Sequence, residues 1–147
     1  MNKMLILAAI IIAIVIVAFK PSGVDFNTDT EGGIQFHKGT FNEALQLAKK
    51  ENKLIFLDIY ATWCGPCKQL KAKTFSNTEV GKFYNQKFIN VAIDGEKGEG
   101  IELASKFNVR GYPTLLFLDK NGTIVTRTGG YHNSEEFIEL GKTVAKK

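Results

Sequence analysis

Residues 54–68 read LIFLDIYATWCGPCK and are the most informative part of the chain about its fold. Its first seven residues form an apolar run that only Asp58 interrupts, which is typical of a short strand buried on both faces. A Cys-Gly-Pro-Cys motif follows at residues 64–67, where we expect the strand to give way to a helix. Pro66 would lie in the first turn of that helix, where its missing N–H costs nothing. The stretch therefore predicts a buried strand that leads into a cysteine pair at a helix N-terminus.

Cys64 and Cys67 are the only cysteines of the chain, so none is left for a separate structural disulfide. At this spacing the two can form a disulfide within one helical turn. Thiolates there would face unpaired N–H groups and the positive end of the helix dipole, and both effects lower the pKa of a thiol. The favoured interpretation is therefore that Cys64 and Cys67 form a redox-active pair. The alternatives are a permanently closed structural disulfide, buried inert cysteines and half of a zinc site.

A zinc site would need two further ligands. The chain has only two histidines, His37 and His132, and they lie far apart in the sequence without a ligand-spaced partner. We therefore expect no metal site and no cofactor.

Helix and strand patterns alternate on both sides of the motif. The predicted strands are one from Ile34 and those over residues 54–60, 88–93, 114–118 and 123–128. Besides the motif helix, one helix begins at a capping box of Thr40 and Glu43 and ends at about Asn52, and another begins at a capping box of Ser76 and Glu79 and ends at about Gln86. A short helix over residues 101–107 and a final helix, capped at Asn133 and ending near Ala145, complete the predicted elements. An Asn121-Gly122 turn with positive φ at both residues would join the last two strands. This order predicts an α/β fold whose central mixed sheet is flanked by helices on both faces, parallel where helices cross over and antiparallel at one edge.

Residues 4–19 (MLILAAIIIAIVIVAF) form an apolar run without a charge. As a helix, the run would span ~24 Å, against ~30 Å of bilayer hydrocarbon. Lys3 and Lys20 at its two ends could reach the interfaces and make up the difference. The small-x-small pattern of a cleavage site is poorly formed. We therefore expect an N-terminal hydrophobic helix over residues 1–19, either a membrane anchor or a signal segment.

The charges around this run predict its orientation. Lys3 precedes the run, and the positive-inside rule then leaves the N-terminus in the cytoplasm. The rest of the chain would lie on the extracytoplasmic, periplasmic side of the cell membrane, single-pass, or be secreted to the periplasm after signal cleavage. Residues 20–33 are rich in Gly, Ser, Thr and acids without a period and are typical of a tether, so residues 34–147 would form the one folded domain.

Charge along the chain is nearly balanced. Lys and Arg together number 19 and Asp and Glu 15, for a formal net charge of +4. No basic stripe interleaved with aromatic residues is present. We therefore expect no nucleic-acid partner.

The motif from Trp63 to Lys68 resembles, residue for residue, the active-site signature of thioredoxins. Asp58, six residues before the first cysteine, lies where that family has a buried aspartate. Gly111-Tyr112-Pro113-Thr114 precedes a predicted strand, where the family has a cis-proline. Residues 57–61 and 73–77 look most like the C-terminal periplasmic domain of the transmembrane thiol:disulfide interchange reductases. The resemblance covers residues 36–147 and implies a thioredoxin fold.

The resemblance also implies roles for the site residues. Cys64 would be the more accessible thiol and the attacking nucleophile, and Cys67 would resolve the mixed disulfide of the redox-active pair. Asp58, buried with a raised pKa, would accept the proton of Cys67. The substrate-binding residues would be Trp63, Gly65, Pro66, Tyr112 and Pro113.

The chain departs from the family pattern at three points. The lysine that faces the aspartate in cytoplasmic thioredoxins falls at Asn90, so Asp58 would lack that charge partner. Tyr112 is bulkier than the residue common before the proline, which affects substrate choice. Lys68-Gln69-Leu70 stands where the cytochrome-c maturation reductases have acidic residues.

These features predict a membrane-tethered, extracytoplasmic thiol–disulfide oxidoreductase that reduces protein disulfides, because Gly-Pro between the cysteines resembles the reducing members. Its partners would be protein disulfides and dithiols. The chain lacks the multi-helix electron-carrying domain of the interchange reductases, so a separate electron-donor protein, which could itself be membrane-embedded, would supply its electrons. The alternatives are a disulfide oxidase or isomerase, and a noncatalytic module that binds clients.

Overall fold

The computed structural model describes residues 29–147, so the predicted anchor or signal segment 1–19 and the tether as far as residue 28 lie outside the described residues. The helices are α1 Phe41–Glu51, α2 Gly65–Gln69, a π-helical segment Leu70–Phe75, α3 Thr78–Lys87, α4 Glu99–Lys106 and α5 Ser134–Val144. The strands are β1 Leu54–Tyr60, β2 Phe88–Asp94, β3 Thr114–Leu118 and β4 Ile124–Gly129. Within residues 29–147, no helix combines the length and the apolar character that a bilayer crossing needs.

The four strands form one mixed sheet in the order β2-β1-β3-β4. β1 and β2 are parallel, whereas β3 is antiparallel to both of its neighbours, β1 and β4. The mixed sheet and its antiparallel edge at β4 are therefore confirmed, whereas the prediction that a strand following a helix is parallel was wrong for β3. Ile93 of β2 and Thr114 of β3 both lie opposite Ile59. β2 therefore ends and β3 begins at the same end of the sheet, because the connection through the short helix α4 does not return the chain to the opposite end.

The strand predicted from Ile34 is absent from the described residues. The backbone N–H groups of this segment bond to unrelated partners: that of Ile34 donates to the carbonyl of Phe75 at 2.8 Å, and that of Gln35 to the Asn85 side chain at 2.8 Å. Only the N–H of His37 reaches β2, at the carbonyl of Asn90, 2.8 Å away. A strand needs a repeated ladder with one neighbour, and these bonds do not provide it.

The predicted capping box at Thr40 and the predicted cap at Asn133 are confirmed. Thr40 with Glu43 and Asn133 with Glu136 each exchange the reciprocal bonds of the motif, at the starts of α1 and α5. The prediction at Ser76 was wrong, because Asn77 caps α3 and accepts from the N–H groups of Glu79 and Val80. The Ser76 hydroxyl instead donates to the carbonyl of Ala72, at the end of the preceding helix.

The turn between β3 and β4 also differs from its prediction. Gly122 has a positive φ of 83°, whereas Asn121 does not. The Asp119 carboxylate accepts hydrogen bonds from the N–H groups of Asn121 and Thr123, at 2.8 and 2.9 Å. This side-chain contact stabilises a wider turn than the one that Asn-Gly alone predicts.

Successive side chains of β1 lie on opposite faces of the sheet and pack into two different hydrophobic cores. Ile55, Leu57 and Ile59 pack into a cluster with residues of α1 and α4. Phe56 packs on the other face with residues of the π-helical segment, α3 and α5. Asp58 shares the face of Phe56, so the fold buries a carboxyl group between the sheet and the helix that follows the cysteine motif.

Candidate active site

The cysteine pair lies where β1 passes into α2. Cys64 has extended backbone angles and caps α2, and its Sγ accepts a hydrogen bond from the N–H of Cys67 at 3.2 Å. The two cysteines form a disulfide, with their Cα atoms 5.3 Å apart. In the reduced protein, the same N–H would stabilise a thiolate on Cys64, because a hydrogen bond to the charged form lowers the pKa of a thiol.

Both cysteines are buried in this oxidised form, Cys64 at 2% and Cys67 at 1% exposure. They pack with Tyr60 and Ala61. The expected difference in accessibility is therefore not present while the disulfide is closed. Their positions on the helix still differ, since Cys64 is the cap and Cys67 lies inside the first turn.

Asp58 is buried at 2% exposure, and no group of the described residues donates a hydrogen bond to its Oδ1. It lies opposite Ala92 on β2 and Leu115 on β3, so its strand neighbours are apolar. Loss of hydration on burial raises the pKa of Asp58 to about 7, against the opposing effect of the Lys71 charge. The carboxyl group can therefore take up or release a proton near neutral pH.

A positively charged side chain does act on Asp58, but it is not at Asn90, the position that the family resemblance indicated. Asn90 lies opposite Phe56 rather than Asp58, and its amide nitrogen donates to the Asn85 side chain at 3.3 Å. The charge instead belongs to Lys71, in the π-helical segment. Nothing in the sequence indicated π-helical winding there, so this residue could not be found from the motif.

Trp63 lies on the rim of the site, with 66% of its surface exposed. Its indole Nε1–H donates to both carboxylate oxygens of Glu96, at 3.2 and 3.1 Å. The indole meets the Tyr112 ring edge to face, with the ring centroids 6.0 Å apart. Glu96 is a second contact that the motif did not indicate, because it follows β2 and lies far from Trp63 in the sequence.

The Tyr112–Pro113 peptide bond is cis, as the resemblance implied. Pro113 is buried, while Tyr112 is half-buried and packs against the cluster that contains both cysteines. The pKa of Tyr112 is raised by burial and by the nearby carboxylates of Glu96 and Asp94.

Gly65 and Pro66, between the two cysteines, are exposed. A side chain at Gly65 would meet no atom within 4 Å. The predicted site residues thus come together at one end of the sheet, where β1 and β2 end and β3 begins. Among residues 29–147, no group of three His, Cys, Asp or Glu side chains could hold a metal ion.

The comparisons with known proteins agree with this geometry. A family model for the thioredoxin-like domain matches residues 41–145. The thiol:disulfide interchange protein DsbD of Yersinia pestis is 34% identical over 96 residues, which are 63% of this chain and 16% of that protein. The chain therefore spans about a sixth of the length of such curated relatives.

Two solved structures extend the similarity. A chain from Bacteroides thetaiotaomicron, named as a candidate disulphide-isomerase, has 42% identity and a TM-score of 0.68, over 78% of this chain and 95% of that one. The reduced C-terminal domain of DsbD from Neisseria meningitidis has 27% identity and a TM-score of 0.59, over 69% of this chain and 91% of that domain. The resemblance that the motif predicted is confirmed. The chain belongs to the thioredoxin-like family, and with its Cys64–Cys67 pair it is a thiol–disulfide oxidoreductase.

Proposed function

We propose that this chain reduces disulfides in other proteins, and that residues 4–19 hold it on the extracytoplasmic side of a membrane. The observation that carries the direction of electron flow is the buried carboxyl group of Asp58. Side chains alternate along β1, so Asp58 and Tyr60 lie on the same face, and Tyr60 belongs to the buried cluster that contains both cysteines. A carboxylate in apolar surroundings disfavours a thiolate nearby and so favours the disulfide over the ionised dithiol. A couple whose disulfide form is favoured is a reductant.

The reaction begins when the Cys64 thiolate attacks one sulfur of a client disulfide. A bond forms between Cys64 Sγ and that sulfur, the client S–S bond breaks, and the released client thiolate takes a proton from solvent. The Cys67 thiol then passes its proton to Asp58 and attacks Cys64 Sγ, which releases the second client thiolate and closes the Cys64–Cys67 disulfide. Two electrons have then moved from the dithiol to the client, and a donor protein with its own dithiol must return them.

The rim around the cysteines would bind the client. The cis bond before Pro113 presents backbone beside Tyr112, and Tyr112 packs against the cysteine cluster. Trp63, whose indole lies against Tyr112, would extend this side of the rim, and the exposed Gly65 and Pro66 would flank an extended client segment on the other side. The clients would therefore be proteins whose disulfide can enter in an extended conformation.

The proposed attachment to a membrane rests on residues 4–19 and on Lys3 before them, as argued from the sequence. The match to a thiol:disulfide interchange protein supports a partner that exchanges dithiols with this domain. The electron donor would then be a separate redox protein at the same membrane.

The test is the equilibrium reduction potential of the Cys64–Cys67 couple, measured at pH 7 in buffers of reduced and oxidised dithiothreitol. A reductant should have a potential near the value of about −270 mV that thioredoxin shows. A value near −120 mV would make the chain an oxidase, and that outcome would overturn the proposal.

An isomerase is the second candidate, because the Bacteroides thetaiotaomicron chain with 42% identity is named as one. Its potential would lie near −180 mV, and the protein would reactivate a scrambled disulfide protein without added reductant. A domain that only binds clients would show no turnover of a protein disulfide.

A further inference from the structure

The rim of the active site carries a carboxylate that the redox chemistry does not use. Glu96 holds the indole Nε1–H of Trp63 between its two oxygens, at 3.2 and 3.1 Å. The indole in turn lies against the Tyr112 ring, and the Glu96 charge contributes to the raised pKa of Tyr112. Glu96 is exposed, so its charge can meet a bound client.

The loop after β2 holds this carboxylate in place. The N–H of Gly95 donates to the carbonyl of Tyr60 at 2.8 Å, and the N–H of Glu96 donates to the side chain of Asp94 at 3.0 Å. Gly95 also packs directly against Tyr112, because a Cβ there would lie 2.7 Å from Cε1 of the ring. The loop, the tyrosine and the indole are therefore joined by direct contacts into one rim.

Glu96 is also the uncompensated charge of this rim. The neighbouring Asp94 carboxylate is paired with Lys97, at 3.6 Å. No lysine, arginine or histidine of residues 29–147 lies within salt-bridge distance of Glu96. An uncompensated carboxylate beside an exposed indole attracts a cationic side chain both by charge and through the ring face.

We propose that Glu96 is a specificity-determining residue, which positions the Trp63 indole and favours client segments that carry Lys or Arg beside the disulfide. This inference rests on the proposed function, since it names the substrate class of the same site. Glu96 forms or breaks no bond in the exchange and acts on binding alone.

Two disulfide peptides test the inference, alike except that one has lysines and the other glutamates beside the cysteines. The ratio of their reduction rates by the reduced full-length protein is measured at low ionic strength. Glu96→Gln keeps an oxygen that can accept from the indole but removes the charge. This variant should lower the ratio of the basic to the acidic peptide about twofold to fivefold, the size expected for one exposed charge pair. The drop should shrink at 0.5 M salt, because salt screens exposed charges.

The indole contact has its own measurement, because Trp63 is the only tryptophan of the chain. The emission maximum and anisotropy of Trp63 should stay close to the wild type in Glu96→Gln. In Glu96→Ala, where no acceptor remains, the anisotropy should fall. Glu102→Gln removes an exposed charge of α4 that is not among the groups acting on Trp63 or Tyr112, so it is the control and should change neither the rate ratio nor the fluorescence.

An unchanged rate ratio in Glu96→Gln would overturn the charge preference, and an unchanged anisotropy in Glu96→Ala would overturn the positioning role. If the wild type reduced neither peptide, nor any protein disulfide, the proposed function itself would fail. Reduction of both peptides with no effect of Glu96→Gln would refute the inference alone.

Discussion

At the scale of single residues, the two cysteines differ in the atoms that surround them. Cys64 Sγ accepts the N–H of Cys67, whereas Cys67 lies inside the first turn of α2 and is 1% exposed. A sulfur at the helix cap is stabilised as a thiolate, while a sulfur inside the turn must first lose its proton to a base. This difference supports the proposal that Cys64 makes the first attack and Cys67 the second.

The Cys67→Ala variant should accumulate mixed disulfides with client proteins through Cys64, because no thiol remains to resolve them. Non-reducing gels, followed by mass spectrometry of the linked peptides, would identify the joined residue. The matched variant Cys64→Ala should trap few or none. Trapping by Cys64→Ala, without trapping by Cys67→Ala, would reverse the two roles.

Asp58 should destabilise the folded protein above neutral pH. Its pKa in the fold is about 7, against ~3.9 for an unfolded aspartate, so the folded state binds the proton more tightly. The resulting stabilisation is complete below the unfolded pKa and is lost as the pH rises through about 7. At pH 9 the buried carboxylate should cost on the order of 4 kcal/mol. Asp58→Asn should therefore be the more stable protein at pH 9 in urea unfolding of the oxidised form, and this gain should disappear towards pH 4.

The same substitution removes the proposed proton acceptor of Cys67. The release of client from the mixed disulfide should slow about tenfold to a thousandfold in Asp58→Asn, as for a lost general base. Stopped-flow measurement of the release step from pH 6 to 8 separates it from the first attack. Equal rates in the two proteins over this range would make Asp58 a structural residue.

At the scale of elements, the π-helical segment Leu70–Phe75 places a lysine where it acts on Asp58. Leu70 and Thr74 point into the protein, and the Thr74 hydroxyl donates to the carbonyl of His132 at 2.6 Å. Lys71 lies between these two buried positions and is itself half-buried. The winding of this segment thus sets the electrostatic surroundings of a strand residue.

Lys71→Met should raise the pKa of Asp58 further, because the lysine charge lowers it in the wild type. The base form would then be reached at higher pH, so the pH profile of the client-release step should move in the alkaline direction. Lys73→Met, an exposed lysine of the same segment, is the control and should leave the profile unmoved. A profile that stays in place in Lys71→Met would show that the lysine charge does not reach the carboxyl group.

At the scale of the whole molecule, the site depends on one end of the sheet. β1 ends there beside Cys64, β2 ends there and leads into the loop of Glu96, and β3 begins there after Pro113. The antiparallel course of β3 is what brings the cis-proline to the same end as the cysteines. A parallel β3 would have placed it at the other end of the sheet.

The full-length chain, expressed in a bacterium, should fractionate with membranes and keep Met1 as its N-terminus, since residues 4–19 form a long apolar run. Deletion of residues 4–19 should move the protein to the soluble fraction with its redox activity intact. Edman sequencing and carbonate extraction provide the measurement. A soluble mature protein that begins near residue 20 would instead establish a cleaved signal.

Features that depend on near neighbours in the chain could be predicted from the sequence. The buried strand 54–60, the cysteine pair at its end and the caps at Thr40 and Asn133 were predicted and are present. Each of these depends on residues a few positions apart, whose chemistry the sequence shows directly. The cis bond before Pro113 is also present, but it was implied by the family resemblance rather than by the local pattern.

Only the tertiary structure decided the direction of β3, the loss of the strand expected from Ile34, and the contacts of Lys71 and Glu96 with the site. These features depend on which distant segments meet. Glu96 reaches Trp63 because the parallel strands β1 and β2 end together, and Lys71 acts on Asp58 because the π-helical segment packs near β1. Local patterns do not specify such pairings, because several packings of the same elements bury similar apolar surface and differ in their long-range contacts.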